Sequence, residues 1–314
     1  MIREDAKLKV GFLILCHTDP VHIGRLARRL ADTEQFCVRI HVDRKAEEEA
    51  FRRAVSNHPR IGWIEEREDC KWGRMGTVRA ECRLLEAGIQ AGCDRLVLLQ
   101  GLDYPLKSNE ELLAFFQARP ETEFLRACRV SDSRDVYHFQ RCRRYWMLND
   151  SLPARLWNRL NDWHPFYIRS GRYREGETVY HCYWGSAQWA LTGACGAFIL
   201  DFVKKHPGFV TYYSHIFPCD ETFFASILYN SAYGERTAMG GPEPEKRYLV
   251  NWRNLHYFEY PRQIRIFRQE DYDDLRRRDE LFVRKVCSGQ SEGLLDMLDQ
   301  DAGWCNGSQP VCDM

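Results

Sequence analysis

The sequence predicts an α/β fold, a mixed and mostly parallel sheet flanked by helices, and three observations carry that expectation. Through the first third of the chain, strand-length apolar runs alternate with helix-length amphipathic segments, the pattern of βαβ units. Arg95-Leu96-Val97-Leu98-Leu99-Gln100 is apolar almost throughout, as a strand covered on both faces can be. That run stops abruptly in Gly101-Leu102-Asp103-Tyr104-Pro105-Leu106-Lys107, and open α/β sheets bind ligands beyond the carboxyl ends of their strands. Asp103 is therefore placed at a site, the alternative being a structural turn after a core strand. Gly101 lets the backbone turn or approach a ligand closely, and Pro105 ends the pairing.

The elements follow in order. Leu8 to Leu15 reads as the first strand and ends in Cys16-His17-Thr18-Asp19-Pro20; Val21 to Leu30 then has helical periodicity. Phe36 to Asp43 alternates as a second strand, followed by a charged helix from about Ala46 to Val55. Ile61-Gly62-Trp63-Ile64 is a short third strand, and Thr77 to Ala91 a helix with Val78, Cys82, Leu85 and Ile89 on one face. No GxGxxG or GxxxxGK[ST] lies in these turns, which disfavours a dinucleotide or P-loop cradle. Between Arg129 and Arg174, Tyr137, Phe139, Tyr145, Trp146, Trp157, Trp163 and Phe166 interleave with Arg141, Arg143, Arg144, Arg155 and Arg159. Such a mixture either stacks on sugar rings or bases, or forms amphipathic helices that cover the sheet. Ser170 to Gly176 is expected as a solvent loop, and Ala194 to Val203 as an apolar helix capped by Thr192. In Phe217-Pro218-Cys219-Asp220-Glu221-Thr222 two carboxylates precede the apolar helix Phe223 to Leu228. They are either a site or a capping arrangement at a helix N-terminus. Arg247 to Trp252 is expected as a strand, and residues 288–314 as a tail.

Composition bounds the function. A chain of 314 residues with 44% hydrophobic content has ample core. Its 45 basic and 45 acidic residues cancel, so nothing global points to a nucleic acid or an anionic membrane, and any anion binding must be local. The thirteen cysteines are an odd number without a CxxC pair, which fits reduced thiols in a cytosolic protein. His17 and His22 lack the HExxH spacing, and no metal motif is found. The apolar run after Met1 to Lys7 is too short to span a bilayer, and no later segment has a spanning run. A cytoplasmic location is expected, with a place at the membrane periphery left open. Asn306-Gly307-Ser308 matches a glycosylation acceptor, read as coincidence without secretion.

Seven motifs in order give the sequence a family likeness: Leu13 to Pro20, Ile40-His41-Val42-Asp43, Trp72-Gly73 with Ala80-Glu81, Leu99 to Lys107, Gly185-Ser186-Ala187-Gln188-Trp189, Pro218-Cys219-Asp220-Glu221, and Leu281 to Lys285. Together they resemble the core-2/I-branching β-1,6-N-acetylglucosaminyltransferases, a family that includes peptide O-xylosyltransferases. The resemblance implies one GT-A-type glycosyltransferase domain over residues 1–287. Its nucleotide-sugar half would be 8–128, the Arg and aromatic insertion 129–178 and the acceptor half 179–287. It also implies an inverting enzyme of polysaccharide or glycoconjugate assembly that takes a UDP-sugar and needs no metal ion or other cofactor. Gly101-Leu102-Asp103 agrees with the last point, since a lone carboxylate would hold a divalent ion weakly.

By the same resemblance Glu221 is the general base, and Arg262 and Lys285 stabilise the diphosphate leaving group, with Arg265, Arg268 and Arg284 as near competitors in sequence. Nucleotide contacts fall on His17, Asp43 and Trp72, with Gly101 and Asp103 at the neighbouring strand end. Asp43 would meet the uracil or ribose edge and Trp72 the base. Trp252 matches an acceptor-stacking aromatic, and Asp220 is expected to cap the helix and orient the acceptor loop. The membrane anchor, stem and disulfide pattern of the Golgi enzymes find no match, which suggests a compact bacterial-type member. N-acetylglucosamine is the expected sugar and xylose the runner-up. A glycan-binding protein on a decayed scaffold is the rival of another class, disfavoured because Glu221, Arg262 and Lys285 occur together. A nucleic-acid module is disfavoured by the neutral charge.

Overall fold

Strand β1 (Val10–Cys16) is the centre of a parallel sheet, and a computed structural model describes the chain around it from residue 7 to residue 305. The first six residues and the Asn306-Gly307-Ser308 triplet lie outside the described residues. The chain forms two units, each assembled from separate stretches. Met1–Arg67, Ala87–Pro120 and Leu255–Met314 make the first, and Glu68–Glu86 with Glu121–Asn254 the second.

In the first unit β1 is followed by α1 (Pro20–Ala31), β2 (Phe36–Val42), α2 (Glu48–Val55) and β3 (Ile61–Trp63). Helix α3 (Met75–Gln90) is divided between the units after Glu86; β4 (Arg95–Gln100), β5 (Asp103–Pro105) and α4 (Asn109–Gln117) follow. Within this unit the parallel order is β4-β1-β2-β3. The central strand is apolar because both its faces are covered, and Val10, Phe12, Leu13 and Ile14 have no exposed surface. Local chemistry sets the helix starts. The Asp19 carboxylate accepts from His22 N–H with Pro20 at the first helical position, and Ser108 and Glu111 form a reciprocal capping box on α4. Helix α2 begins at Glu48 and not at Ala46, because Ala46 N–H closes a turn onto the Asp43 carbonyl.

The second unit contains β6 (Ala127–Arg129), α5 (Val136–Arg143), α6 (Leu152–Trp163), β7 (Arg172–Glu175), β8 (Thr178–His181), β9 (Tyr183–Gly185) and β10 (Ala190–Thr192). It continues with α7 (Gly193–Lys205), α8 (Pro207–Tyr213) and α9 (Phe223–Tyr229). Strands β6 and β9 pair antiparallel, and Trp184, Trp189, Phe209, Tyr213, Phe223 and Trp252 form a dense aromatic core. Two expectations are corrected. Residues 170–176 are not a plain loop: β7 pairs with β8 in a hairpin turning at Gly176, whose φ of 57° suits glycine. Leu249–Trp252 is a 3-10 turn in place of a strand, because Tyr248 and Val250 carbonyls take the N–H groups of Asn251 and Arg253. The Arg and aromatic insertion folds mainly as α5 and α6, and several of its arginines stack on its own rings, Arg144 over Trp146 at 4.0 Å and Arg141 over Tyr137 at 3.9 Å.

The chain then returns to the first unit as β11 (His256–Tyr257), α10 (Tyr272–Leu275), β12 (Phe282–Arg284) and α11 (Glu292–Asp301). Strand β12 runs parallel to β11 and antiparallel to β5, which sets Arg284 opposite Asp103. The described part of the expected tail is a core element. Asp299 of α11 accepts from Arg25 Nε at 2.7 Å, Arg29 Nη1 at 2.9 Å and the Tyr104 hydroxyl at 2.7 Å, all in a largely buried setting.

Candidate active site

In the first unit the parallel register brings three strand ends together. Asp43 N–H donates to the Cys16 carbonyl at 2.8 Å, and Gly101 N–H to the Leu15 carbonyl at 2.9 Å. His17, Asp43 and Gly101 thus stand side by side at the carboxyl edge of β1, β2 and β4, where an α/β sheet offers a ligand cleft. His17 is exposed. Asp43 is 3% exposed; its carboxylate accepts from Lys45 N–H at 2.8 Å and lies 3.0 Å from Lys45 Nζ. Gly101 is required sterically: a Cβ there would come within 2.9 Å of Cys16 Cβ.

Asp103 lies deeper than a strand-end ligand. It has no exposed surface, accepts from Arg284 Nη1 at 2.7 Å and Gln100 N–H at 2.6 Å, and lies 3.1 Å from His256 Nε2. Burial alone would weaken the acid, but Arg284 and His256 outweigh it and hold the carboxyl down at about 2. The charge on Asp103 is therefore committed to locking β12 against β5.

That commitment also separates the cations near the chain end. Arg284 is held by Asp103, Arg265 by Glu259 and Asp271, and Arg268 reaches Gln290. Arg262 is exposed, and neither its guanidinium nor the half-buried Lys285 ammonium has a side-chain partner among the described residues. Burial first, then the neighbouring Arg284, lowers the Lys285 pKa, and the charge of Asp103 offsets this only in part. Backbone bonds fix its position: Lys285 N–H donates to the Arg265 carbonyl at 3.1 Å and its own carbonyl accepts from Phe267 N–H at 2.9 Å.

In the second unit Glu221 lies just before α9, only 9% exposed. Trp184 Nε1 on β9 donates to Glu221 Oε2 at 2.7 Å, and Gly185 N–H to the Glu221 carbonyl at 3.1 Å. Burial, then the adjacent Asp220, pushes the Glu221 carboxyl up to about 7, against the opposing pull of Trp184 and Arg141. The Arg141 guanidinium sits 4.6 Å from the Trp184 ring centre. Asp220 is also weakened as an acid by burial, which N–H groups of Asp220 and Glu221 only partly offset. Glu81 belongs to the same environment: it is 1% exposed, and burial together with Asp220 raises its pKa well above the usual carboxylate range. Neither Arg141 nor Trp184 was marked by the sequence motifs, although Trp184 immediately precedes the Gly185 to Trp189 stretch.

Asp220 does not cap α9: the cap position is Thr222, whose hydroxyl donates to the Pro218 and Cys219 carbonyls, and Asp220 Oδ1 has no hydrogen bond. Trp252 offers no open face for stacking, since it is fully buried edge-on against Trp184, ring centres 5.6 Å apart. Trp72 is 68% exposed and rests edge-to-face on Phe217. Gly73 permits that packing with a φ of 72°, where a Cβ would lie 2.4 Å from the Phe217 ring.

A family model described as Core-2/I-Branching enzyme matches residues 10–276. The chain belongs to that family, and it is a glycosyltransferase. Among solved structures it is similar to mannose-1-phosphate geranyltransferase from Thermus thermophilus at 11% identity and a TM-score of 0.30, over 75% of this chain and 69% of the other. It is likewise similar to mouse xyloside xylosyltransferase 1 in its apo form, at 12% identity and a TM-score of 0.31, over 71% of this chain and 81% of that one. No curated protein matches the chain. Among the described residues no helix is long and apolar enough to cross a membrane.

Proposed function

We propose that this enzyme moves a sugar, N-acetylglucosamine, from UDP to a hydroxyl of a glycan or glycoconjugate, inverting the anomeric centre without a metal ion. Glu221 is the general base. Its carboxylate takes the proton of the acceptor hydroxyl as that oxygen bonds to the anomeric carbon. The bond from that carbon to UDP breaks on the opposite face, and its electron pair leaves with the diphosphate. The observation that carries the reading is the state of Glu221. Burial and Asp220 bring its acidity near neutrality while Trp184 stabilises the charged form, which is what a base working at neutral pH requires.

Arg262 and Lys285 would meet the charge that grows on UDP, a task suited to preorganised cations. Support comes from the engagement of Arg265, Arg268 and Arg284 elsewhere. Metal independence draws support from the pairing of Asp103 with Arg284, which leaves the Gly101-Leu102-Asp103 carboxylate committed. His17, Asp43 and Trp72 are assigned to the nucleotide.

A screen of sugar release from UDP-N-acetylglucosamine, UDP-xylose and other nucleotide sugars, with and without EDTA, tests the proposal. Turnover of UDP-N-acetylglucosamine unaffected by EDTA is the expected result. Activity confined to a non-uridine donor, or abolished by EDTA and restored by manganese, would overturn it.

A further inference from the structure

Helix α6 presents an apolar stripe to solvent. Leu152, Leu156, Leu160 and Trp163 recur at three- and four-residue spacing, which places them along one side of a helix. They are 68, 55, 54 and 86% exposed. The orientation of the helix is fixed from its other side. Trp157 Nε1 and Asn161 Nδ2 both donate to the Tyr145 carbonyl, at 3.0 and 2.9 Å, Asn158 Nδ2 donates to the Met147 carbonyl at 2.8 Å, and Ala154 and Asn161 are buried. With these contacts made, the leucines cannot rotate inward. Ile168, just beyond the helix, adds a further side chain 66% exposed.

The charge along this face is one-sided. Arg155 and Arg159 are exposed next to the stripe and make no side-chain ion pair among the described residues. The two acids of the segment are already neutralised, Asp162 by Arg144 at 2.5 Å and Asp150 by Lys71 and by Arg74 at 3.0 Å.

We propose that α6 is an interfacial anchor, laying Leu152, Leu156, Leu160 and Trp163 into the headgroup boundary of an anionic bilayer. Apolar side chains flanked by arginine on a helix too short to span are the elements of such binding, and an indole is favoured at the boundary itself. Charge complementarity selects the bilayer over a second copy of the chain. A symmetric pairing of two α6 faces would gather four arginines with no free acid in the segment to balance them, whereas anionic headgroups supply that balance.

The test uses the full chain with vesicles of phosphatidylcholine alone or mixed with phosphatidylglycerol. Co-sedimentation with the mixed vesicles, weakening as salt rises, is expected. Arg155→Glu/Arg159→Glu should weaken it at least about tenfold, and Leu156→Glu/Leu160→Glu should abolish it while circular dichroism stays unchanged. On the unaltered fold, lipids brominated near the headgroup should quench a tryptophan component that Trp163→Phe removes. Equal partitioning of the native chain and the leucine variant, or light scattering showing a dimer that Leu156→Glu/Leu160→Glu dissociates without any vesicle binding, would overturn the anchor.

Discussion

Trp184 and Glu221 are joined at 2.7 Å by an indole N–H that donates to a carboxylate almost out of reach of water. The residue after Trp184 holds the Glu221 backbone as well, through Gly185 N–H at 3.1 Å. Strand β9 thus fixes the place of the carboxylate and favours its charged form, against the stronger burial and Asp220 charge that favour the neutral acid.

Glu221→Gln keeps the shape and removes the proposed base. Turnover should fall by roughly 10²–10⁴-fold, while UDP affinity by calorimetry stays close to that of the native enzyme. Near-normal turnover would move the base elsewhere, and Asp220→Asn on the same assay identifies the nearest competitor.

The pH dependence follows from the raised pKa of Glu221. The base is active when deprotonated, so kcat/KM should rise with pH through about 7 and level off above it. Trp184→Phe removes the donor that favours the charged form, so the rising limb should move to higher pH. A limb that stayed in place while overall activity dropped would mean that Trp184 serves only to pack the core.

Lys285→Ala and Arg262→Ala should lower kcat by about 10²–10³-fold, the cost of one preorganised group aimed at developing charge. Arg268→Ala, whose side chain reaches Gln290, is the matched control and should leave kcat within about twofold. Loss confined to acceptor KM would refute the leaving-group role.

Asp103→Asn should destabilise the first unit by about 3–5 kcal/mol, because Arg284 is left buried without its counter-ion. The carboxyl is depressed to about 2 from an ordinary 3.8, so its stabilisation is complete above about pH 4 and disappears as pH falls through about 2. Denaturant melts at about pH 7 and below about pH 3 measure both, and the gap between native and variant should narrow on the acid side.

Glu81 carries the opposite sign. Its acidity is suppressed in the folded protein by burial and then by Asp220, so folding binds protons and stability declines as pH climbs above the ordinary value of 4.5. Glu81→Gln should raise Tm by ~2–4 °C at about pH 8 and leave it unchanged at about pH 4. A variant that lowers Tm at both pH values would show that the ionised carboxylate is structurally needed.

The sequence by itself determined the β1 to β4 half of the first unit, because unbroken apolar strands and amphipathic helices are local signals. It also marked Gly101 as a residue just past a strand end, while His17 and Asp43 were marked by the family resemblance, and the parallel register then brings all three to one edge. Tertiary structure decided what each marked residue can do. Asp103 reads as a ligand in sequence, yet Arg284, brought opposite by β12, takes its charge. Trp252 reads as a stacking surface until the aromatic core closes around it. Arg262 and Lys285 are set apart from Arg265, Arg268 and Arg284 in sequence by the resemblance alone, and the partners that engage those three arginines come from the fold. Charge, burial and hydrogen-bond partners arise from residues distant in sequence, and those quantities decide whether a carboxylate such as Asp103 is a ligand or a lock.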